Sequence, residues 1–181
     1  ANSARRAPAP RAAARPVFRP TGEFSAARFD GRAAHLRLSN AGLSIPEMTV
    51  FVVAAPFSCP GWFSAFMATS EKGKNYFQTG VTIDQGVGNQ RQLEIINVEG
   101  AGFQGMQNLS QEKLPYGSVA RLCVTTAPRK DGTTLWINGK RQGSRDRAAT
   151  SVLRLDELVA GARHYAIGAS PEVTGHFDGD I

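Results

Sequence analysis

Retaining glycoside hydrolysis needs two carboxylates about 5 Å apart, one as nucleophile and one as acid/base. Side chains of a strand alternate between its two faces, so acids two residues apart would supply such a pair. Asp156 and Glu157 are adjacent and would point to opposite faces, and Asp84, in Ile83-Asp84-Gln85, has no acid two residues away. The histidines His35, His164 and His176 lie far apart, and no two of them have the spacing of metal ligands. Cys59 and Cys123 form no Cys-x-x-Cys pair and so no zinc or redox motif; whether they form a disulfide depends on a Cα separation that spacing does not give. Two groups remain that could hold a ligand. Trp62, Phe63 and Tyr76 could stack on a sugar ring, although aromatic strand residues more often fill a core. The stretch from Arg129 to Arg147 carries six basic residues, among them Arg141 and Arg145, against Asp131 and Asp146, a surface on which an anionic glycan could dock.

The elements that must position these residues are strands. From Ala33 the apolar residues Ala34, Leu36 and Leu38 alternate with His35 and Arg37, the pattern of a strand with one buried face. Thr49 to Ala54 is a β-branched and aromatic run expected to be buried on both faces. Trp62 to Thr69, Tyr76 to Ile83 and Leu93 to Val98 read as further strands, and Val119 to Thr126 as the next long one, with Cys123 a buried thiol. Thr133 to Ile137 returns through Asn138-Gly139, the strongest short-range hairpin signal because both residues tolerate the positive φ of a type I′ turn. Leu153 to Leu158 reads as one helical turn, since Asp156 and Glu157 break strand alternation. Short strands with turn punctuation throughout predict an all-β, two-sheet antiparallel sandwich of jelly-roll type.

Charge is unevenly placed along the 181 residues, whose net value is +6. Six arginines within residues 1–28 face a single acid, Glu23, while the rest holds 15 basic against 14 acidic groups. A near-neutral body with a basic arm argues against a nucleic-acid-binding face. No apolar run approaches the roughly 20 residues that span a bilayer. Residues 1–20, rich in Ala, Arg and Pro, read as an irregular lead-in, and 21–181 as one domain. The chain lacks both an initiator Met and an apolar leader, and its last strand halts at Ile181. It therefore reads as a processed product or fragment that misses one C-terminal strand, leaving a sheet edge unfinished. Asn108-Leu109-Ser110 is a glycosylation sequon, relevant only in a eukaryotic secretory route.

Four segments, taken in order, resemble the laminin-G-like, concanavalin A-like lectin/glucanase superfamily in its bacterial secreted form. They are Arg15-Pro16-Val17-Phe18 with Ala27-Arg28-Phe29-Asp30-Gly31; Met48 to Ala54; Leu135-Trp136-Ile137-Asn138-Gly139-Lys140; and Ile167-Gly168 with Phe177-Asp178-Gly179-Asp180-Ile181. The resemblance implies the jelly roll and a secreted or cell-surface setting. It also implies calcium as a possible cofactor, with Asp30, Asp178 and Asp180 as candidates; the alternative is that each aspartate makes a turn with its following residues. The Glu-x-Asp-x-x-Glu strand of the superfamily's glucanases is absent. Tyr76-Phe77-Gln78-Thr79-Gly80-Val81 is similar to the Tyr-Phe-Lys-Ala-Gly strand of jelly-roll polysaccharide lyases, but Gln78 replaces the lysine. The expectation is a non-catalytic module of a larger polypeptide that binds carbohydrate or an extracellular protein. A polysaccharide-active enzyme and a structural spacer are the alternatives.

Overall fold

A computed structural model describes residues 15–21, 24–88, 90–167 and 170–181. Sheet one contains β1 (Val17–Thr21), β2 (Phe24–Asp30), β4 (Met48–Ser58), β8 (Phe103–Gln104), β9 (Ala120–Thr126), β10 (Thr133–Ile137), β11 (Lys140–Arg147) and β15 (Asp178–Asp180). Sheet two contains β3 (Leu36–Ile45), β5 (Ser64–Ser70), β6 (Val81–Gln85), β7 (Ile96–Gly100) and β12 (Leu153–Ala160). A separate hairpin joins β13 (Arg163–Ile167) to β14 (Ser170–Thr174), and one helical turn, α1 (Tyr76–Thr79), links β5 to β6. Strand order is β1-β2-β15-β4-β9-β10-β11-β8 in the first sheet and β3-β12-β5-β6-β7 in the second, with antiparallel pairing throughout. The fold is the expected two-sheet antiparallel sandwich.

Period-two alternation builds the core. Val52, Ala54, Leu122, Val124, Leu135 and Ile137 turn inward from sheet one and meet Phe66, Val81, Ile83, Ile96 and Val98 from sheet two. The duplicated Phe-Asp-Gly closes one end. Its copies pair antiparallel, Asp178 opposite Asp30 and Gly179 opposite Phe29, and the two phenylalanine rings meet edge-on with centroids 6.2 Å apart. Asn138 and Gly139 both have positive φ, 51° and 83°, so the two-residue turn forms as its sequence requires.

Several local expectations give way to tertiary context. Tyr76 to Thr79 is helical, and the strand begins only at Val81. The Gln78 side chain accepts from the Asn75 N–H at 3.3 Å, and Gly80 lies so close to the Thr69 carbonyl that a Cβ would sit 1.7 Å from its oxygen. Leu153 to Ala160 is a strand, not a helical turn; a bulge between Leu155 and Glu157 absorbs the broken alternation, and Asp156 and Glu157 pair with Arg154 and Arg37. In β4 only one face is buried, with Phe51 76% and Val53 57% exposed on the outer surface. Leu36 and Leu38 are exposed as well, because β3 is the edge of its sheet. The lead-in ends earlier than expected: Val17–Thr21 joins the sheet by pairing with β2. The final strand lies inside sheet one, between β2 and β4, so it does not form a sheet edge. Both cysteines are free thiols; Cys59 is buried and Cys123 is half-buried on the outward row of β9.

Candidate functional site

Val81 and Ile83 of β6 and Ile96 and Val98 of β7 turn into the core, and the residues between them are polar: Thr82 and Asp84 on one strand, Asn97 and Glu99 on the other. Register places Asp84 opposite Asn97 and Thr82 opposite Glu99, so both acids lie on the outward face of sheet two, diagonal to each other. That face is not left to solvent. α1 packs on β5 and β7, and the β13–β14 hairpin packs on β5, so every residue of β5 and β6 is buried.

Arg163, at the start of the hairpin, enters this polar layer. Its Nε lies 3.3 Å from Asp84 Oδ2, and its terminal nitrogen donates to Glu99 Oε1 at 2.6 Å and to the Tyr76 hydroxyl. The guanidinium carbon also sits 4.3 Å from the Phe63 ring centroid and 4.9 Å from that of Tyr76. Held by two acids and two rings, this planar cation is fixed in orientation. Asp84 is fully buried and accepts from Asn97 Nδ2 at 3.0 Å. Burial pushes its carboxyl upward, Arg163 and Asn97 pull it down, Glu99 pushes it up again, and the outcome is about 7. Burial likewise raises the Tyr76 phenol, which donates to Glu99 at 2.7 Å.

Above this layer lies a cavity of about 620 Å³, within the range of small-ligand sites. Trp62, Phe63, Tyr76, Glu99, Gln107, Arg163 and Thr174 line it. Trp62 stands 75% exposed at the rim. Its loop is anchored from below: Cys59 Sγ lies 3.7 Å from Ser64 Oγ and 3.6 Å from the Gln85 carbonyl, while Gln85 Nε2 donates to the Ser58 carbonyl at 2.8 Å. Trp62 is thus an exposed ring on a fixed base. Glu99 is the carboxylate among the lining residues, whereas Asp84 lies beneath Arg163.

The structure therefore gathers Trp62, Phe63 and Tyr76 around one cavity. Neither Arg141 nor Arg145 lines it, and the two differ from each other. Arg141 is exposed on β11, but Arg145 is 8% exposed and donates to the carbonyls of Val98, Gln104 and Gly105. The expectation that Arg145 faces a ligand on the hairpin surface is corrected: β11 alternation turns it inward, where it satisfies carbonyls around β7 and β8. The aspartates considered for calcium have protein partners. Asp30 Oδ1 accepts from the N–H groups of Arg32, Ala33 and Ala34, and although burial opposes it, these bonds bring the carboxyl down to about 2. Asp178 accepts from Ser58 Oγ at 2.6 Å, and Asp180 forms a two-point pair with Arg28 at 2.5 and 2.8 Å. Among the described residues no cluster of three or more His, Cys, Asp or Glu could enclose a metal ion.

Asp84, Glu99 and Arg163 escape a search for acids two residues apart, because the carboxylates meet across neighbouring strands. The legible trace is the repeated alternation of Val81-Thr82-Ile83-Asp84 and Ile96-Asn97-Val98-Glu99, which marks two polar rows without showing that they adjoin.

No protein-family model matches the chain, and no curated protein matches it. Among solved structures it resembles the native heptameric SAP-like pentraxin from Limulus polyphemus, at 14% identity and a TM-score of 0.65, over 84% of this chain and 70% of the pentraxin chain. At that identity the likeness is one of architecture. What the two chains share is the jelly-roll architecture, a two-sheet antiparallel sandwich.

Proposed function

We propose that this domain is a non-catalytic carbohydrate-binding module, part of a larger secreted or cell-surface polypeptide, and that the cavity beneath Trp62 receives the sugar. The observation that carries this reading is the pairing of an exposed, firmly based tryptophan with a preorganised polar floor of Arg163, Glu99 and Tyr76. An aromatic face suits the apolar face of a pyranose, and fixed donors and acceptors suit its hydroxyls. Charge favours a neutral glycan over an acidic one. Arg163 already lies between Glu99 and Asp84, so the floor carries no net positive charge to attract a uronate or sulfate. A lectin-like role agrees with the fold, and the lining of the cavity favours binding over hydrolysis. A glycosidase needs two carboxyl groups flanking the scissile bond, and Asp84 is sealed under Arg163 away from a substrate.

The test is a glycan array with the purified domain, followed by titration of any hit. Binding of a neutral glycan, weakened about tenfold or more by Trp62→Ala with no change in melting temperature, is expected. Binding that ignores both Trp62→Ala and Arg163→Lys would move the site elsewhere. Release of reducing ends or unsaturated uronates from a bound polysaccharide would replace this reading with the enzymatic one.

A further inference from the structure

Two histidines distant in sequence meet beside the paired Phe-Asp-Gly copies. Gly31 N–H donates to the Phe177 carbonyl at 2.9 Å, and Phe177 N–H donates to the Gly161 carbonyl at 2.9 Å, which fixes the segment entering β15 against the turn after β2. His35 follows that turn and His176 immediately precedes Phe177. Their ring centroids lie 5.8 Å apart with the planes tilted by 39°.

The nitrogens of both rings define what the pair can do. His35 Nδ1 lies 2.9 Å from the Ala33 carbonyl oxygen. A carbonyl only accepts, so Nδ1 carries the proton and Nε2 keeps its lone pair. His176 Nδ1 is buried and has no hydrogen-bond partner. Each imidazole thus has a ring nitrogen with no other assignment.

We propose that His35 and His176 form a two-imidazole site for a divalent transition-metal ion of the zinc class, with water completing the coordination. Two imidazoles bound at about 2.0–2.1 Å to a shared ion place their centroids roughly 5–6 Å apart, so the observed spacing needs little adjustment. The carbonyl bond to His35 Nδ1 is the kind of outer contact that fixes the tautomer and aim of a ligating histidine. Asp30 lies within electrostatic reach of His176. The nearby Asp30 carboxylate adds favourable negative charge. With two protein ligands the ion is exchangeable, and it clips the segment entering β15 to the one entering β3. Imidazole nitrogen selects zinc, copper or nickel over calcium and magnesium, which prefer oxygen.

The experiment is calorimetric titration of the full chain with zinc chloride at about pH 7.5, where neutral imidazole is available, with calcium chloride as control and imidazole resonances followed by NMR. One equivalent of zinc should bind and raise the melting temperature, and calcium should do neither at this site. His35→Gln and His176→Gln should each weaken zinc binding by about tenfold or more. The NMR measurement needs no variant: zinc should shift the His35 and His176 imidazole signals together. Failure of the folded wild-type chain to bind zinc, or binding that leaves those two signals unmoved, would overturn the proposal.

Discussion

Arg163 Nε lies 3.3 Å from Asp84 Oδ2, joining the hairpin that covers sheet two to a carboxyl buried on β6, an interior strand of that sheet. The Coulomb attraction favours an ionised Asp84, but desolvation outweighs it and leaves the acid near pH 7. Arg163 is thereby shared between Asp84 below and Glu99 at the cavity wall, and its stacking on Phe63 and Tyr76 fixes the plane it presents to a ligand.

This relationship predicts a pH dependence with a definite sign. Between about pH 4 and 7 folded Asp84 holds a proton that the unfolded chain has released, so the folded state binds more protons there. Stability from this group falls as pH rises through that window and levels off above about 7. Denaturant titrations at about pH 5 and pH 8 should show a loss of at most about 2–3 kcal/mol from this source, and Asp84→Asn should remove that component. Asp30 acts at the other end: its carboxyl, held at about 2, contributes stability that disappears as pH falls from about 4 to 2. Identical pH profiles for wild type and Asp84→Asn would show that Asp84 titrates as an ordinary acid.

The two hairpin arginines should separate sharply. Arg145→Ala strands the buried carbonyl of Val98, removes the part-buried bonds to Gln104 and Gly105, and should destabilise the domain by about 1–3 kcal/mol. Arg141→Ala removes an exposed side chain and should stay within about 0.5 kcal/mol. Urea midpoints measure both; equal effects would mean that the Arg145 guanidinium is not buried.

Gly139→Val tests the hairpin turn itself. Nothing lies within 4 Å of a Cβ at this position, so the penalty is purely that of a β-branched residue held at positive φ. A loss of about 1–3 kcal/mol is expected. Lys140→Ala, which removes only an exposed pair with Glu112, should be nearly silent. A Gly139→Val variant that melts with wild type would exclude the type I′ geometry.

Phe177 is fully buried between Phe29 and Phe66, with ring centroids at 6.2 and 5.1 Å. Phe177→Ala should cost about 3–5 kcal/mol by lost burial and a residual cavity. A loss below about 1 kcal/mol by thermal or chemical denaturation would mean that the Phe-Asp-Gly pair does not close the core.

Features set by neighbouring residues were legible from the sequence. Alternation along Val119 to Thr126 and Thr133 to Ile137 specified strands, and Asn138-Gly139 specified their turn, because each depends on backbone preferences within a few positions. The Phe-Asp-Gly repeat marked two strand ends, and the structure pairs them antiparallel. Tertiary structure decided what those strands face. Leu36 and Leu38 are exposed because β3 is an edge strand, and β6 and β7 carry their acids on a covered outer face because α1 and the β13–β14 hairpin pack there. Trp62, Phe63 and Tyr76 could be named in advance as a trio, yet their common cavity requires a loop, a helical turn and a hairpin to converge. Asp84, Glu99 and Arg163 became a cluster only through cross-strand register and the approach of a segment far downstream of Asp84. Such encounters depend on the path of the whole chain, so no local pattern around any one of the three residues encodes them.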